Sequence, residues 1–207
     1  MYYYIKRVID IVGAIIGIIF LLPVFGILAL AVYLDSPGPV LFRQKRIGRK
    51  KKEFYILKFR TMKQEAPHNT PTHLLDTPEC YITRTGKFLR RTSLDELPQL
   101  FNILKGDMSF IGPRPALWNQ EDLLQERERY GANNVPVGLS GWAQVNGRDT
   151  LSIKEKAKLD GEYAKNISFI MDCRCVGRTV YCLWKQEGLK EGKQKAEDGP
   201  NTNYRRD

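Results

Sequence analysis

The densest group of side chains suited to chemistry lies in residues 90–115, RRTSLDELPQLFNILKGDMSFIGPRP. Two adjacent acids, Asp95 and Glu96, stand among basic residues in this segment. The guanidinium groups nearby in sequence are those of Arg90, Arg91 and Arg114. One guanidinium group can donate two parallel hydrogen bonds to a phosphate group, and a carboxylate can act as a nucleophile. The segment therefore predicts a phosphoryl-transfer site in which Asp95 is the candidate nucleophile and Glu96 is its partner.

The spacing of Ser93 and Glu96 matches a capping box, in which the two side chains bond each other's backbone amides at a helix start. It predicts a helix that begins near Ser93 and holds Asp95 in its first turn, where the helix dipole favours negative charge. Apolar residues continue this helix at helical spacing: Leu97, Leu100, Phe101, Leu104 and Met108. Capping boxes are common, so the motif alone is also compatible with acids that only cap a helix and pair with arginines.

The elements around this segment predict an α+β fold that is mainly helical. Runs rich in aromatic and β-branched residues at 40–42 and 54–59 predict a small β-hairpin. Residues 63–83 are polar, contain three prolines and predict a long surface loop.

Further helices are predicted toward the C-terminus. Leu123 and Leu124 belong to a helix expected to stop at Gly131, and Ser152 with Glu155 marks the start of another. Residues 169–185 mix apolar and basic side chains in a pattern typical of an amphipathic helix at a membrane interface. The same pattern is compatible with a helix that packs its apolar side on a protein core. Residues 188–207 are polar and predict a disordered tail.

Composition narrows the classes of partner and excludes several kinds of site. The 207 residues include 33 Lys and Arg against 23 Asp and Glu, a formal net charge of +10 that suits a polyanionic partner. Walker A, GxGxxG and GxSxG motifs are absent. The spacing of the four cysteines matches neither a zinc site nor a disulfide framework, so they are interpreted as reduced packing residues. Both histidines are interpreted as loop residues. These residues are Cys80, Cys173, Cys175, Cys182, His68 and His73.

The N-terminus contains a segment suited to a membrane. Residues 11–34 carry no charge and exceed the roughly 20 apolar residues needed to cross a bilayer. The run is longer than the apolar region of a cleaved signal peptide, so we expect it to be retained.

Pro23 lies in the middle of this segment and predicts a kink, because proline cannot donate to the carbonyl of Ile19 and crowds it. Basic residues flank both ends, at 6–7 and 43–52, so both ends favour the cytoplasmic face. A helix broken at Pro23 that enters and leaves the same leaflet satisfies both preferences. An ordinary kinked spanning helix is the alternative.

Three segments in this order, after a membrane helix with a central proline, resemble the monotopic polyprenyl-phosphate phosphoglycosyl transferases. They are KFRTM (58–62), RTSLDELPQLFNILKGDMSFIGPRP (91–115) and GWAQVNGR (141–148). The resemblance covers nearly the whole chain except the tail. It implies a membrane-embedded re-entrant helix at 1–36 and a cytosolic catalytic domain at 37–187, which the disordered polar tail expected at 188–207 follows.

The resemblance implies an activity. Asp95 would attack the β-phosphate of a UDP-sugar, UMP would leave, and the phosphosugar would pass from Asp95 to polyprenyl (undecaprenyl) phosphate. Such enzymes start surface-glycan pathways (capsule, exopolysaccharide or glycoprotein) at the cytoplasmic face of the bacterial inner membrane. The resemblance also implies Mg²⁺ at Asp95, with Glu96 as the second catalytic acid. A cation there would lower the repulsion between the carboxylate and the diphosphate.

Basic positions of the family motifs are assigned to phosphate or nucleotide contact. With one acidic position whose role the sequence does not explain, the implied substrate-binding residues are Lys58, Arg60, Arg90, Arg114, Arg148 and Asp160. For Arg60 and Arg148, a solvated charge at the membrane surface is the competing interpretation.

Two positions depart from the family pattern. The family often has Ser-Pro at the helix break, where this chain has Leu22-Pro23. Before GWAQV the family usually reads Arg-Pro-Gly, where this chain has Pro136-Val137-Gly138 and lacks one expected cation.

Two other classes of function fit parts of the sequence. A membrane-tethered basic module that binds nucleic acid or anionic lipid would explain the charge and the apolar anchor, but not the acid pair among arginines. A non-catalytic relative that holds a glycan-assembly complex together would explain the altered loop. We expect a single-leaflet enzyme with no nucleic-acid partner, and a homodimer is a possible assembly.

Overall fold

Helix α1 (Tyr2–Asp35) precedes a mixed unit of short strands and helices in a computed structural model that describes residues 2–66, 80–147 and 150–185. Most of the predicted loop at 63–83, with both histidines, lies outside the described residues, as does the predicted tail at 188–207. Among the described elements helices predominate, so the predicted mainly helical α+β class is confirmed.

Helix α1 is a long apolar helix, as predicted, and by length and composition it can cross a membrane. Ala14, Leu28 and Val32 are buried on one face, whereas most of its apolar side chains are exposed. The helix continues through Pro23. The predicted break at Pro23 and the re-entrant path are therefore not confirmed by the fold and remain predictions.

The predicted hairpin is confirmed. Strand β1 (Leu41–Ile47) pairs antiparallel with β2 (Glu53–Phe59), in a register that sets Phe42 opposite Lys58. Strand β1 is longer than predicted because its basic residues continue the ladder. Its other edge pairs with β4 (Ala116–Leu117). A separate parallel pair joins β3 (Ser109–Ile111) to β5 (Gly138–Ser140).

The helical segments of the unit have the following bounds. They are α2 (Arg84–Thr92), α3 (Gln99–Lys105), α4 (Glu121–Arg129), α5 (Trp142–Val145), α6 (Ile153–Lys165) and α7 (Phe169–Lys185). The predicted capping box of Ser152 and Glu155 is present at the start of α6. Helix α4 ends before Gly131, which has the left-handed φ of 71° expected after a helix. Helix α7 exposes apolar side chains, among them Val180 and Trp184.

The predicted helix start at Ser93 is wrong. Ser93 has a left-handed φ of 58° and closes α2, and its side chain makes no capping hydrogen bond at the next turn. A 3-10 turn at Leu94–Glu96 follows, and α3 begins only at Gln99, after Pro98. Proline suits the start of a helix because it has no amide hydrogen to leave unpaired. Glu96 instead pairs with Lys58 and Arg114.

The core joins α1 to the rest of the unit along much of its length. Ala14 packs with Leu100 and Ile103 of α3. Toward the other end, Leu28 and Val32 pack with residues of β2 and α2. Met108, predicted on the α3 face, lies beyond the end of α3 but still packs in the first of these clusters. The cysteines are free thiols, and Cys175 is buried in the core, but Cys80 and Cys173 are exposed, so the interpretation as packing residues is wrong for those two.

Candidate active site

The two acids of the predicted site lie on the 3-10 turn between α2 and α3. Glu96 Oε1 accepts hydrogen bonds from Lys58 Nζ at 2.7 Å and from Arg114 Nη2 at 2.8 Å. Lys58 comes from β2 and Arg114 from the loop between β3 and β4. The fold thus brings together residues from three separate segments, all of them predicted as site residues.

Glu96 is held as a carboxylate. Burial alone would raise its pKa, but the opposing charges and hydrogen bonds of Arg114 and Lys58 prevail and hold the pKa well below the usual glutamate range. A carboxylate with two cationic donors on one oxygen is fixed in position. Glu96 is therefore suited to orienting cations rather than to exchanging protons.

Asp95 has the opposite electrostatic balance. Its side chain is buried, with 9% of the residue's surface exposed. Burial is the largest cause that raises the pKa of Asp95, and the negative charge of Glu96 adds to it, although Lys58, Arg90 and Arg114 act to lower it. A carboxylate with a raised pKa is more basic than an ordinary aspartate, and loss of water makes it more reactive toward an electrophile.

The basic side chains of the site repel one another electrostatically. Burial is the largest cause that lowers the pKa of Lys58 and of Arg46, and repulsion from Arg114 lowers both further, although the negative charge of Glu96 acts to raise them. Arg46 donates to the carbonyl oxygen of Pro115 at 3.0 Å, so it supports the loop that carries Arg114. A site of excess positive charge is suited to a polyanion such as a diphosphate.

Arg46 is a site residue that the sequence interpretation missed, because it stands within a basic run that looked like membrane-flanking charge. The hairpin register contains the signal that identifies it. Residues directly opposite each other share one face of a hairpin, and alternate residues of a strand share a face too. Phe42 is opposite Lys58, and Arg46 is four residues after Phe42, so Arg46 and Lys58 lie on the same face.

Other predicted site residues lie further from the acids or support them indirectly. Arg60 is buried and donates to the carbonyls of Ser36 and Pro37, so it ties the end of β2 to the segment after α1. Arg90, in the last turn of α2, acts on Asp95 through its charge. Arg148 lies outside the described residues.

Asp160 contributes to the site through a neighbour. Its carboxylate is 1% exposed and accepts two hydrogen bonds from Arg127, at 2.8 and 2.6 Å. Arg127 in turn donates from Nη2 to the carbonyl oxygen of Arg114 at 3.0 Å. Asp160 is therefore placed to position Arg114, and it does not reach the surface of the site.

An apolar cavity of about 400 Å³ opens beside Glu96. Its walls include Leu97 and Leu100 near the acids and Val176 and Val180 of α7. The two valines are also 50% and 63% exposed. We call the 3-10 turn at Leu94–Glu96 the acid turn. The cavity connects it to the exposed apolar face of α7, which is suited to an apolar chain that ends in a charged group.

The side chains around Asp95 bear on whether a divalent cation can bind there. No group of three or more His, Cys, Asp or Glu side chains that could hold a metal occurs in the part of the chain that the structure describes. Mg²⁺ is commonly bound by one or two carboxylates together with substrate phosphates. The Asp95 carboxylate, next in the chain to Glu96 at the cavity wall and within reach of the charges of Lys58, Arg90 and Arg114, fits that mode and does not fit a metal site made by protein alone.

The amino-acid sequence is similar to those of known proteins. Residues 1–186 match the family model described as bacterial sugar transferase. The chain is 39% identical to the uncharacterized sugar transferase EpsL of Bacillus subtilis over 90% of each chain. It is 43% identical to an Escherichia coli protein named UDP-glucose:undecaprenyl-phosphate glucose-1-phosphate transferase, over 85% of this chain and 39% of that one. An Aeromonas hydrophila UDP-N-acetylgalactosamine-undecaprenyl-phosphate N-acetylgalactosaminephosphotransferase is 38% identical, over 87% of this chain and 44% of its own length.

Proposed function

We propose that this chain, which belongs to the bacterial sugar transferase family, transfers a sugar phosphate from a UDP-sugar to undecaprenyl phosphate and releases UMP. The observation that carries the proposal is the acid turn itself. Asp95 has a raised pKa and lies next to Glu96, whose carboxylate is bound by Lys58 and Arg114. The names of the Escherichia coli and Aeromonas hydrophila relatives give the same reaction class for those proteins.

The reaction proceeds in two displacements at one phosphorus atom. A carboxylate oxygen of Asp95 attacks the β-phosphorus of the UDP-sugar, the bond from that phosphorus to the bridging oxygen breaks, and UMP leaves with the bridging oxygen. The protein then carries an acyl phosphate bonded to the sugar. An oxygen of undecaprenyl phosphate attacks the same phosphorus, which restores the Asp95 carboxylate and forms a diphosphate-linked lipid.

The residues around Asp95 suit this sequence of steps. Lys58, Arg90 and Arg114 neutralise the charge of the phosphates as Asp95 approaches, which is the main demand of phosphoryl transfer. Glu96 holds Lys58 and Arg114 in place. A Mg²⁺ ion held by Asp95 and the substrate diphosphate would supply further charge neutralisation when bound.

The same geometry supports a single-leaflet arrangement on the cytoplasmic face of the inner membrane. Near its start, α1 is joined to the unit by Arg7, which donates to the carbonyl oxygens of Ile103 and Leu104 at 2.6 and 2.8 Å. At its end, Asp35 accepts from the amide of Thr85 at 2.7 Å. A helix of 34 residues is about 50 Å long. Because both ends contact the same folded unit, an entry and exit on the same side is favoured over a crossing.

The apolar cavity supplies the route for the lipid substrate. An apolar chain in the bilayer can reach the acid turn along the exposed face of α7, whose Val176 and Val180 line the cavity. The UDP-sugar reaches the same turn from water. The enzyme would thus act at the first membrane step of a surface glycan.

The activity is tested by incubating the full chain with Mg²⁺, undecaprenyl phosphate and a panel of UDP-sugars, and measuring UMP. We expect release with at least one sugar, and its loss on chelation of Mg²⁺ or in Asp95→Asn. The exposed Glu53→Gln, on the hairpin, is the matched control and should retain activity. The transferase proposal is abandoned if no sugar yields UMP in the unmodified protein.

A second measurement tests the covalent step on its own. With a reactive UDP-sugar but without undecaprenyl phosphate, one UMP at most should be released per chain, and mass spectrometry should find the phosphosugar on the peptide that contains Asp95. UMP release that requires undecaprenyl phosphate from the start, with no adduct, would indicate direct transfer instead.

A further inference from the structure

The turn between β1 and β2 carries an exposed basic run, residues 49–52, which the proposed reaction does not use. We call this run the hairpin tip. Lys50 and Lys51 have φ values of 54° and 59°, a left-handed conformation that glycine or asparagine adopts more easily. Lysines at such positions conflict with the local conformation, and conflicts of this kind occur most often where a side chain serves a function.

Two members of the hairpin tip fix it to the rest of the protein. Lys51 Nζ is 2.8 Å from Glu128 Oε2, and Arg49 Nε donates to the carbonyl oxygen of Asn134 at 2.9 Å. Lys50 and Lys52, in contrast, are exposed and form no ion pair with any residue in the described ranges. The hairpin tip is therefore fixed in position, and it exposes the ammonium groups of Lys50 and Lys52, which no acid in the described ranges neutralises.

The hairpin tip lies beside the start of α1. The guanidinium carbon of Arg49 is 5.3 Å from the ring centroid of Tyr3. The next residue, Tyr4, is 83% exposed, and Ile5 and Val8 after it are at least half exposed. Tyrosine is enriched at the level of lipid headgroups, where its ring meets the apolar region and its hydroxyl meets water. The basic hairpin tip and the first apolar side chains of α1 thus adjoin at one point of the surface.

A cavity of about 470 Å³ lies between the hairpin tip and the first turns of α1. Arg49 forms part of its wall, and the two acids in the wall, Asp10 and Asp107, already have partners within the protein. Asp10 accepts from Ser109 Oγ and from the amide of Phe110, both at 3.0 Å, and Asp107 lies 3.1 Å from Lys105 Nζ. The acids in this wall are therefore partly compensated, and the basic groups of the hairpin tip favour an anion.

We propose that the hairpin tip binds the headgroups of anionic phospholipids where α1 enters the bilayer. The inference rests on the membrane insertion proposed for α1, but not on the transfer reaction. Exposed lysines beside an apolar helix match a surface that is negative at the headgroups and apolar beneath them. A nucleic acid would use the charge, but it would leave the adjoining apolar residues in water. Bound headgroups would set the depth and tilt of the unit, and so the height of the acid turn above the lipid.

The test measures lipid preference without any turnover. The full chain in detergent is mixed with neutral phosphatidylcholine vesicles and with denser vesicles that contain phosphatidylglycerol, the detergent is removed slowly, and the protein is counted in each population. We expect a preference for the anionic vesicles that weakens with salt. Each lysine at such a surface changes partitioning about fivefold, so Lys50→Gln with Lys52→Gln should reduce the preference roughly 25-fold.

The matched control is Lys154→Gln with Lys158→Gln, which removes the same charge from exposed positions on α6. An equal loss of preference in both double variants would show that net charge alone is responsible and would overturn the proposal. So would a wild-type protein with no preference. A labelled oligonucleotide added in water tests the other polyanion: tip-dependent binding to it, with unchanged vesicle preference, also overturns the proposal. UMP release, measured separately, reports on the transfer reaction and does not enter these outcomes.

Discussion

The Glu96 carboxylate lies 2.7 Å from the Lys58 ammonium group, although 38 positions separate the two residues in the chain. This contact, together with the one from Arg114, gives two adjacent acids opposite properties. Glu96 is kept ionised by its cations, whereas burial raises the pKa of Asp95. A pair of carboxyl groups whose pKa values are pushed apart is typical of a site in which each has a separate role. Replacing the carboxyl group by an amide should therefore have different effects on the free energy of unfolding at these two adjacent positions.

Glu96→Gln should lower the free energy of unfolding at neutral pH by about 2–4 kcal/mol. Lys58, which is mostly buried, and Arg114, which is partly exposed, both lose the carboxylate that neutralises them. The lowered pKa of Glu96 means that this stabilisation is present above the pKa of the unfolded chain, and is lost as pH falls toward the folded value. Chemical denaturation in detergent at several pH values measures it. A difference between wild type and variant that does not shrink in acid would contradict the explanation.

Asp95→Asn should leave the free energy of unfolding unchanged or raise it at neutral pH, while it abolishes UMP release. The raised pKa of Asp95 means that the folded protein holds the ionised group at a cost, which the neutral amide avoids. The same denaturation experiment is the measurement, with Glu96→Gln as its internal comparison. A marked loss of stability in Asp95→Asn would indicate that this carboxylate has a structural role.

The pH dependence of turnover should show the raised pKa of Asp95 directly. The nucleophile is the ionised form, so kcat/KM for UMP release should rise with pH through the pKa of this group in the free enzyme. We expect the acid limb above the ordinary aspartate value of about 4. An acid limb at that ordinary value would show that the surrounding cations outweigh burial in solution.

Asp160→Asn should destabilise the protein by at most about 3–5 kcal/mol, because it leaves the buried Arg127 guanidinium without its anion. Burial raises the pKa of Asp160, so the neutral amide offsets part of this loss. Replacing both residues at once, with Arg127→Met and Asp160→Leu, should recover much of that loss. UMP release should stay low in the double variant, because the hydrogen bond from Arg127 to the Arg114 carbonyl is still missing. Denaturation together with kcat and KM for the UDP-sugar separates the two effects. Full recovery of kcat in the double variant would exclude a positioning role.

Gly86→Ala should destabilise the protein and reduce UMP release, because a Cβ at Gly86 would stand 2.0 Å from the carbonyl oxygen of Thr61. Backbone must move to make room, and α2, which carries Arg90, would move away from the end of β2. Gly26→Ala is the matched control, since nothing lies within 4 Å of its Cβ position. Alanine there should leave activity unchanged and stabilise α1 by about 0.5–1 kcal/mol. Equal stability of the two variants would show that α2 is free to shift.

Local patterns in the sequence predicted the elements that depend on neighbouring residues. The capping box at Ser152, the stop of α4 before Gly131 and the hairpin each follow from backbone preferences within a few residues. The length and apolarity of α1 follow from composition alone. The predicted cap at Ser93 was wrong for a physical reason: Glu96 gains more from two cations brought by β2 and the β3–β4 loop than from a backbone amide.

The sequence by itself determined that an acid pair, several arginines and an apolar helix occur in one chain, because residue types and short spacings are readable directly. Only the tertiary structure decided which cations meet the acids, that Arg46 joins them, and that Asp160 acts through Arg127. Several of those contacts join residues far apart in the chain, such as Lys58 and Glu96, 38 positions apart, and Arg127 and Asp160, 33 positions apart. Burial, which raises the pKa of Asp95, arises only when distant segments pack, so no local pattern can reveal it.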